Sequence, residues 1–149
     1  MKIEIDQSGK IENTNKLTAI AFSNNHQKSL IITAKDKKSV QSIFRRIGQP
    51  KIFVYKLFAT AVFVLIKDDL KKLDQIIIDK EYLGYEKIIK KFILEIAEHN
   101  NKKIDGSNIH FHSIGKKSQA HKIALRAFQT KRSDIKLTSK DFFEISFTK

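Results

Sequence analysis

Gln75–Asp79 reads QIIID, and three consecutive isoleucines in so short a run constrain this chain more than any other stretch. Side chains on a strand alternate between its two faces, so isoleucine at three successive positions makes both faces apolar. Such a strand is stable only when covered on both sides, which places it centrally in a sheet sandwiched by helices. The run closes on Asp79, Lys80 and Glu81, so carboxylates stand at the terminus of a buried strand.

A second acidic strand opens the chain. In MKIEIDQSGK, Ile3 and Ile5 alternate with Glu4 and Asp6, giving one apolar and one carboxylate face. Gln7, Ser8 and Gly9 then read as a small polar turn, which leaves Asp6 at the rim of the sheet. A metal-binding acid suits that position; so does a solvated aspartate before a hairpin. Leu17–Ser23 (LTAIAFS) and Ser29–Thr33 (SLIIT) read as two further strands, joined by the turn Asn24, Asn25, His26 and Gln27. Three strands with short turns make an antiparallel meander.

From Lys35 the period changes. Val40, Ile43, Phe44 and Ile47 recur on one helical face, which Gly48 and Pro50 terminate. Ile52–Ile66 admits strands or a buried helix; its length and the small Ala59 and Ala61 favour the helix. After the isoleucine strand, Tyr85, Ile88, Ile89, Phe92, Ile93 and Ile96 line one face of another helix, with Lys87, Lys90 and Lys91 on the other. Ile109–Ser113 (IHFHS) is read as a fifth strand with His110 and His112 on one face, a spacing open to a metal pair or to ordinary surface histidines. Ser118 then reads as the N-cap of a helix packed through Ala120, Ile123, Ala124, Ala127 and Phe128, with His121 in its first turn. Leu137–Lys149 offers one more short helix, starting after Thr138 or Ser139.

No repeat, linker or low-complexity tract breaks this order, so residues 1–149 are read as a single domain of a size that buries a real core. The absence of cysteine excludes disulfides, thiolate nucleophiles and thiolate zinc sites, and points to a cytoplasmic setting. The N-terminus lacks a signal-peptide plan, and the apolar run at Ile52–Ile66 is too short to span a bilayer comfortably, so no membrane partner is expected. With 29 Lys plus Arg against 16 Asp plus Glu, the net charge of +13 favours a polyanionic partner, DNA or RNA. Lysine dominates, which suits phosphate contact better than base reading. A homodimer is compatible with the composition, and nothing in the sequence selects an oligomeric state.

In an α/β sheet, active residues gather at strand ends and adjoining helix starts. That rule brings Asp6, Asp79 and His121 together from three distant points. Lys116 and Lys117 precede a helix N-terminus and, with Ser118, form a candidate phosphate contact or a plain solvated basic turn. Tyr82 and Tyr85 are candidates for base stacking, although Tyr85 falls on the apolar stripe and reads as core. No glycine-rich phosphate loop, Gly-x-Ser-x-Gly elbow or His-Glu-x-x-His helix is found.

Taken together, IDQSG at Ile5–Gly9, IIIDKE at Ile76–Glu81 and KSQAHKIALRA at Lys117–Ala127 resemble the motifs of the ribonuclease H-like superfamily of RuvC-type resolvases, integrases and transposases. More narrowly, IDQSG is similar to the Asp-x-Ser-Gly first strand of a family of that fold. The resemblance implies a mixed five-stranded sheet, its first three strands antiparallel, flanked by helices. It further implies a nuclease that hydrolyses phosphodiester bonds in structured or branched nucleic acid with Mg²⁺ or Mn²⁺. On matching positions Asp6 would bridge the metals, Asp79 would bind one, and Glu81 is the reserve acid. The family's last helix usually carries Asp where this chain has His121, which would serve as a softer ligand or a proton shuttle. An inactive nucleic-acid-binding module on the same fold is the alternative.

Overall fold

The computed structural model describes residues 1–24 and 26–147; Asn25 of the expected turn and the end of the expected C-terminal helix region, residues 148–149, lie outside them. Strands β1 (Lys2–Ser8), β2 (Thr18–Ser23) and β3 (Gln27–Ile32) form the antiparallel meander. β4 (Gln75–Asp79) adds to β1 in parallel and β5 (Ile109–His112) adds to β4, also in parallel. The sheet has six strands, in the order β5-β4-β1-β2-β3-β6, not the five expected. The sixth, β6 (Ile135–Lys136), pairs in parallel with β3 through Leu30 and Ile31. Two residues are too few to show any alternation, so this strand exists only because the edge of β3 is there to receive it.

Five α-helices are found among the described residues: α1 (Ala34–Arg46), α2 (Ile52–Ile66), α3 (Glu86–His99), α4 (Gln119–Thr130) and α5 (Ser139–Ser146). The Thr33 hydroxyl caps α1 by accepting the Asp36 N–H, and Gly48, at φ +74°, turns the chain away after it. α2 is apolar on nearly every side, Lys56 and Thr60 excepted, which fits its place among α1, α3 and α5 and upon β2 and β3. On that side Ile3, Ile5, Ile20, Phe22, Ile76 and Ile78 pack with α2 and α3 into the main core.

The other face is built differently. α4 alone covers β1, β2 and β3, resting on Ala19, Ala21 and its own Ala120, Ala124 and Ala127. Small residues on both surfaces let the helix backbone approach the sheet closely, and no thick apolar layer separates them. The face of β1 beneath it carries Glu4, Asp6 and Ser8. A polar strand face under a helix is the arrangement on which the candidate site depends.

Candidate active site

Asp6 is not at the rim of the sheet. Gln7 and Ser8 continue β1 by pairing with Ile20 and Ala19, so Asp6 stands inside the strand, 5% exposed, beneath α4. Its Oδ1 accepts the Gln7 N–H at 2.8 Å and its Oδ2 lies 2.9 Å from His121 Nδ1. Two residues 115 positions apart in sequence thus form one buried carboxylate–imidazole pair. Burial pushes the Asp6 carboxyl above the usual aspartate range; the Gln7 N–H and His121 oppose this, and the charge of Asp79 adds to it.

The helix start that delivers His121 is fastened to the same strand. The Ser118 hydroxyl accepts the Ala120 N–H and donates to Glu4 Oε1 at 2.9 Å, so it both caps α4 and pins it to β1. Lys116 and Lys117 are exposed on the turn before it.

Asp79 enters from the neighbouring strand. The parallel register pairs Ile5 with Ile78, so the next residues, Asp6 and Asp79, stand level on the same sheet face. One strand further out, Asp79 pairs with His112. Asp6, Asp79 and His112 therefore form a cross-strand row, with His121 above its first member. Asp79 Oδ1 accepts the Ile114 N–H at 2.7 Å and so also holds the segment that leads into α4. Glu81 follows in a tight turn, and its carboxyl is raised by burial first, then by Asp79 and Asp6, against the pull of Lys10. Tyr82 secures that turn: its hydroxyl bonds the Gln7 side chain at 2.9 Å and accepts the Ile11 N–H.

The structure thus pairs Asp6 with His121 directly and brings Asp79 and Glu81 into the electrostatic field of Asp6. It adds His112, whose place in the row follows from strand register; the sequence offers His112 only beside His110, as a metal pair or as ordinary surface histidines. Neither tyrosine sits as its place in the sequence indicates. Tyr82 is buried and hydrogen-bonded, whereas Tyr85 is 46% exposed and stacks on Tyr55 with ring centroids 4.1 Å apart. The helical stripe ends before Tyr85, which sits at the N-cap of α3 and outside its buried face.

The divalent ion that the resemblance implies needs several oxygen ligands converging on one point. Among the described residues no group of three or more His, Cys, Asp or Glu side chains is so placed, and Asp6 uses both its oxygens, and Asp79 one, inside the protein. The donors as they stand do not fit a metal cradle, and no chemical step is derived through one. What the pair can do is proton chemistry. With Nδ1 held against a carboxylate, His121 keeps Nε2 for the outside, on a ring that is 30% exposed.

No helix among the described residues is long and apolar enough to cross a membrane. Compared with known proteins, the chain matches no family model, no curated protein and no solved structure.

Proposed function

We propose that this protein is a nuclease of ribonuclease H-like architecture that hydrolyses phosphodiester bonds in structured or branched nucleic acid at the row formed by Asp6, Asp79 and His112 beneath the start of α4. The observation that carries the reading is the 2.9 Å contact between Asp6 and His121. A buried carboxylate holding the proximal nitrogen of a partly exposed imidazole is a general-base unit, and it costs stability that packing alone would not require. The strand order, with an antiparallel meander and two parallel additions beside β1, supports the architectural half of the proposal.

In this reading Asp6 holds the Nδ1–H tautomer of His121, leaving Nε2 to take the proton of an attacking water. One P–O bond forms to that water and one breaks to the leaving oxygen. Glu81, which retains its proton to higher pH than an ordinary glutamate, is the group able to return one to the leaving oxygen. Lys116 and Lys117 supply positive charge for the phosphate at the helix start.

The test is cleavage of a panel of duplex, single strand, four-way junction and RNA–DNA hybrid, each with Mg²⁺, with Mn²⁺ and in EDTA. Wild type is compared with Asp6→Asn and His121→Ala. Cleavage in EDTA that falls at least a hundredfold in both variants is the expected result. Cleavage that requires Mg²⁺ or Mn²⁺ and is lost in Asp79→Asn as well would replace the proton mechanism with the metal one. Binding without cleavage by wild type would leave a nucleic-acid-binding module, a reading favoured by the engagement of Asp79 with Ile114.

A further inference from the structure

At the far end of α4 from His121 lies a cleft of about 950 Å³, walled by the segment before β2, the end of β3, the start of α1, the end of α4 and β6. Its floor is apolar: Leu17 and Ile31 flank the half-buried ring of Phe128. Its rim is cationic, carrying Lys16, Lys131, Arg132 and Lys136, and no acidic residue lines it. None of these four cations forms an ion pair among the described residues, although each is exposed. Clefts of this size take ligands of small-molecule dimensions, and the lining selects one that is anionic at its edge and flat and apolar at its centre.

The position of the rim is built, not incidental. Asp134 Oδ2 accepts the Ser29 N–H at 2.9 Å, which fixes the turn carrying Arg132, and the pairing of β6 with β3 sets Lys136 beside Ile31. On the opposite wall, Lys37 Nζ reaches the carbonyls of Lys10 and Asn13, tying down the loop that presents Lys16. Along the exposed side of α4, Lys122 and Arg126 continue the positive charge from Lys116 and Lys117 toward the cleft. The helical rise from His121 to Lys131 is about 15 Å, a few nucleotides of extended strand.

We infer that this cleft is a binding subsite for single-stranded nucleic acid, in which one unstacked base lies on Phe128 while its flanking phosphates contact Lys16, Lys131, Arg132 and Lys136. The inference rests on the proposed function only for its choice of nucleic acid. A base needs a π-face and the backbone needs cations, and the cleft offers both together. A paired base cannot present its face to Phe128, so the subsite prefers an unpaired segment to a duplex.

The experiment uses the full chain in EDTA and an oligothymidylate labelled with fluorescein, with 2-aminopurine replacing single bases in turn. Wild type should bind with steep salt dependence and quench 2-aminopurine at a restricted position. Lys16→Ala/Arg132→Ala/Lys136→Ala should weaken binding at least tenfold and reduce the slope of log affinity against log salt by about 2, three phosphates at about 0.7 each. Phe128→Leu, which keeps the floor apolar, should weaken binding about tenfold and abolish the quenching. Unlabelled duplex of equal length should compete less well than single strand. Unchanged affinity and slope in the triple variant, retained quenching in Phe128→Leu, or equal competition by duplex would each overturn the subsite. Because the oligonucleotide is verified intact after each titration and the variants are remote from Asp6, the binding result stands whether or not wild type cleaves anything.

Discussion

Asp6 is a buried carboxylate whose proton affinity burial has raised, so its ionised form weakens the fold. Asp6→Asn is therefore expected to melt a few degrees higher than wild type at pH 8 while losing the proposed general base; a lower melting temperature would mean that the His121 contact outweighs the desolvation. Lys37 is fully buried, donates to Lys10 O, Asn13 O and Thr18 Oγ1, and has its pKa lowered from 10.5 to about 8, chiefly by desolvation, with Glu12 pulling the other way. Between about pH 8 and 10.5 the unfolded chain binds more protons at this site than the folded one, so the destabilising contribution is full below pH 8 and is relieved as pH rises. Wild type should gain stability relative to Lys37→Met from pH 8 to 10 in paired denaturant titrations, by up to about 3 kcal/mol; a constant difference would refute the shift. Gly9 has φ +81°, and a Cβ there would meet the Leu17 carbonyl and the Phe128 ring at 2.6 Å. Gly9→Ala is expected to cost about 2–4 kcal/mol and to displace Phe128, measurable as a lower unfolding midpoint.

Among the elements, the helices were the most legible. Val40 and Phe44 of the expected stripe are buried in α1 and the stop at Gly48 holds, but Ile47 is the C-cap and 52% exposed; the length of Ile52–Ile66 decided correctly for a helix in α2. Thr138 caps α5 as its position indicated, in a box completed by Asp141. What α5 does was not legible. It closes the main core by placing Phe142 against Phe44, at 6.1 Å between centroids, and by joining Ser146 to Thr60 of α2 through a 2.7 Å hydroxyl contact. Phe142→Ala should lower stability by about 3–5 kcal/mol, read as a shift of the denaturation midpoint without a change in sheet content. A loss below about 1 kcal/mol would show α5 to be an appendage.

For the whole molecule, charge is the governing property. Against 29 Lys and Arg there are few ion pairs among the described residues, chiefly Lys28 with Asp69 and the exposed Lys91 with Glu95. Self-repulsion on a surface so weakly compensated is screened by salt, so the melting temperature should rise from low to physiological ionic strength; invariance would mean that the lysines are too dispersed to repel. The same charges make nucleic-acid affinity fall with salt, and only the comparison of rim variants separates the cleft from the general field.

Local pattern in the sequence was enough to specify the periodic parts: an α/β chain with a meander first, a twice-buried isoleucine strand, and helices around them. Period two and period 3.6 are local properties, and QIIID or the stripe of α3 expresses them without help from elsewhere. The sequence also offered Asp6, Asp79, Glu81 and His121 as candidate site residues. Tertiary structure alone decided how far each would go. Strand register set Asp79 level with Asp6 and brought His112 into the row, and the close approach of α4 joined His121 to Asp6. β6 became a strand only at the edge of β3, and with it came the cationic rim around Phe128. Register, edge pairing and helix docking are relations between distant segments, and no window of the chain contains both partners.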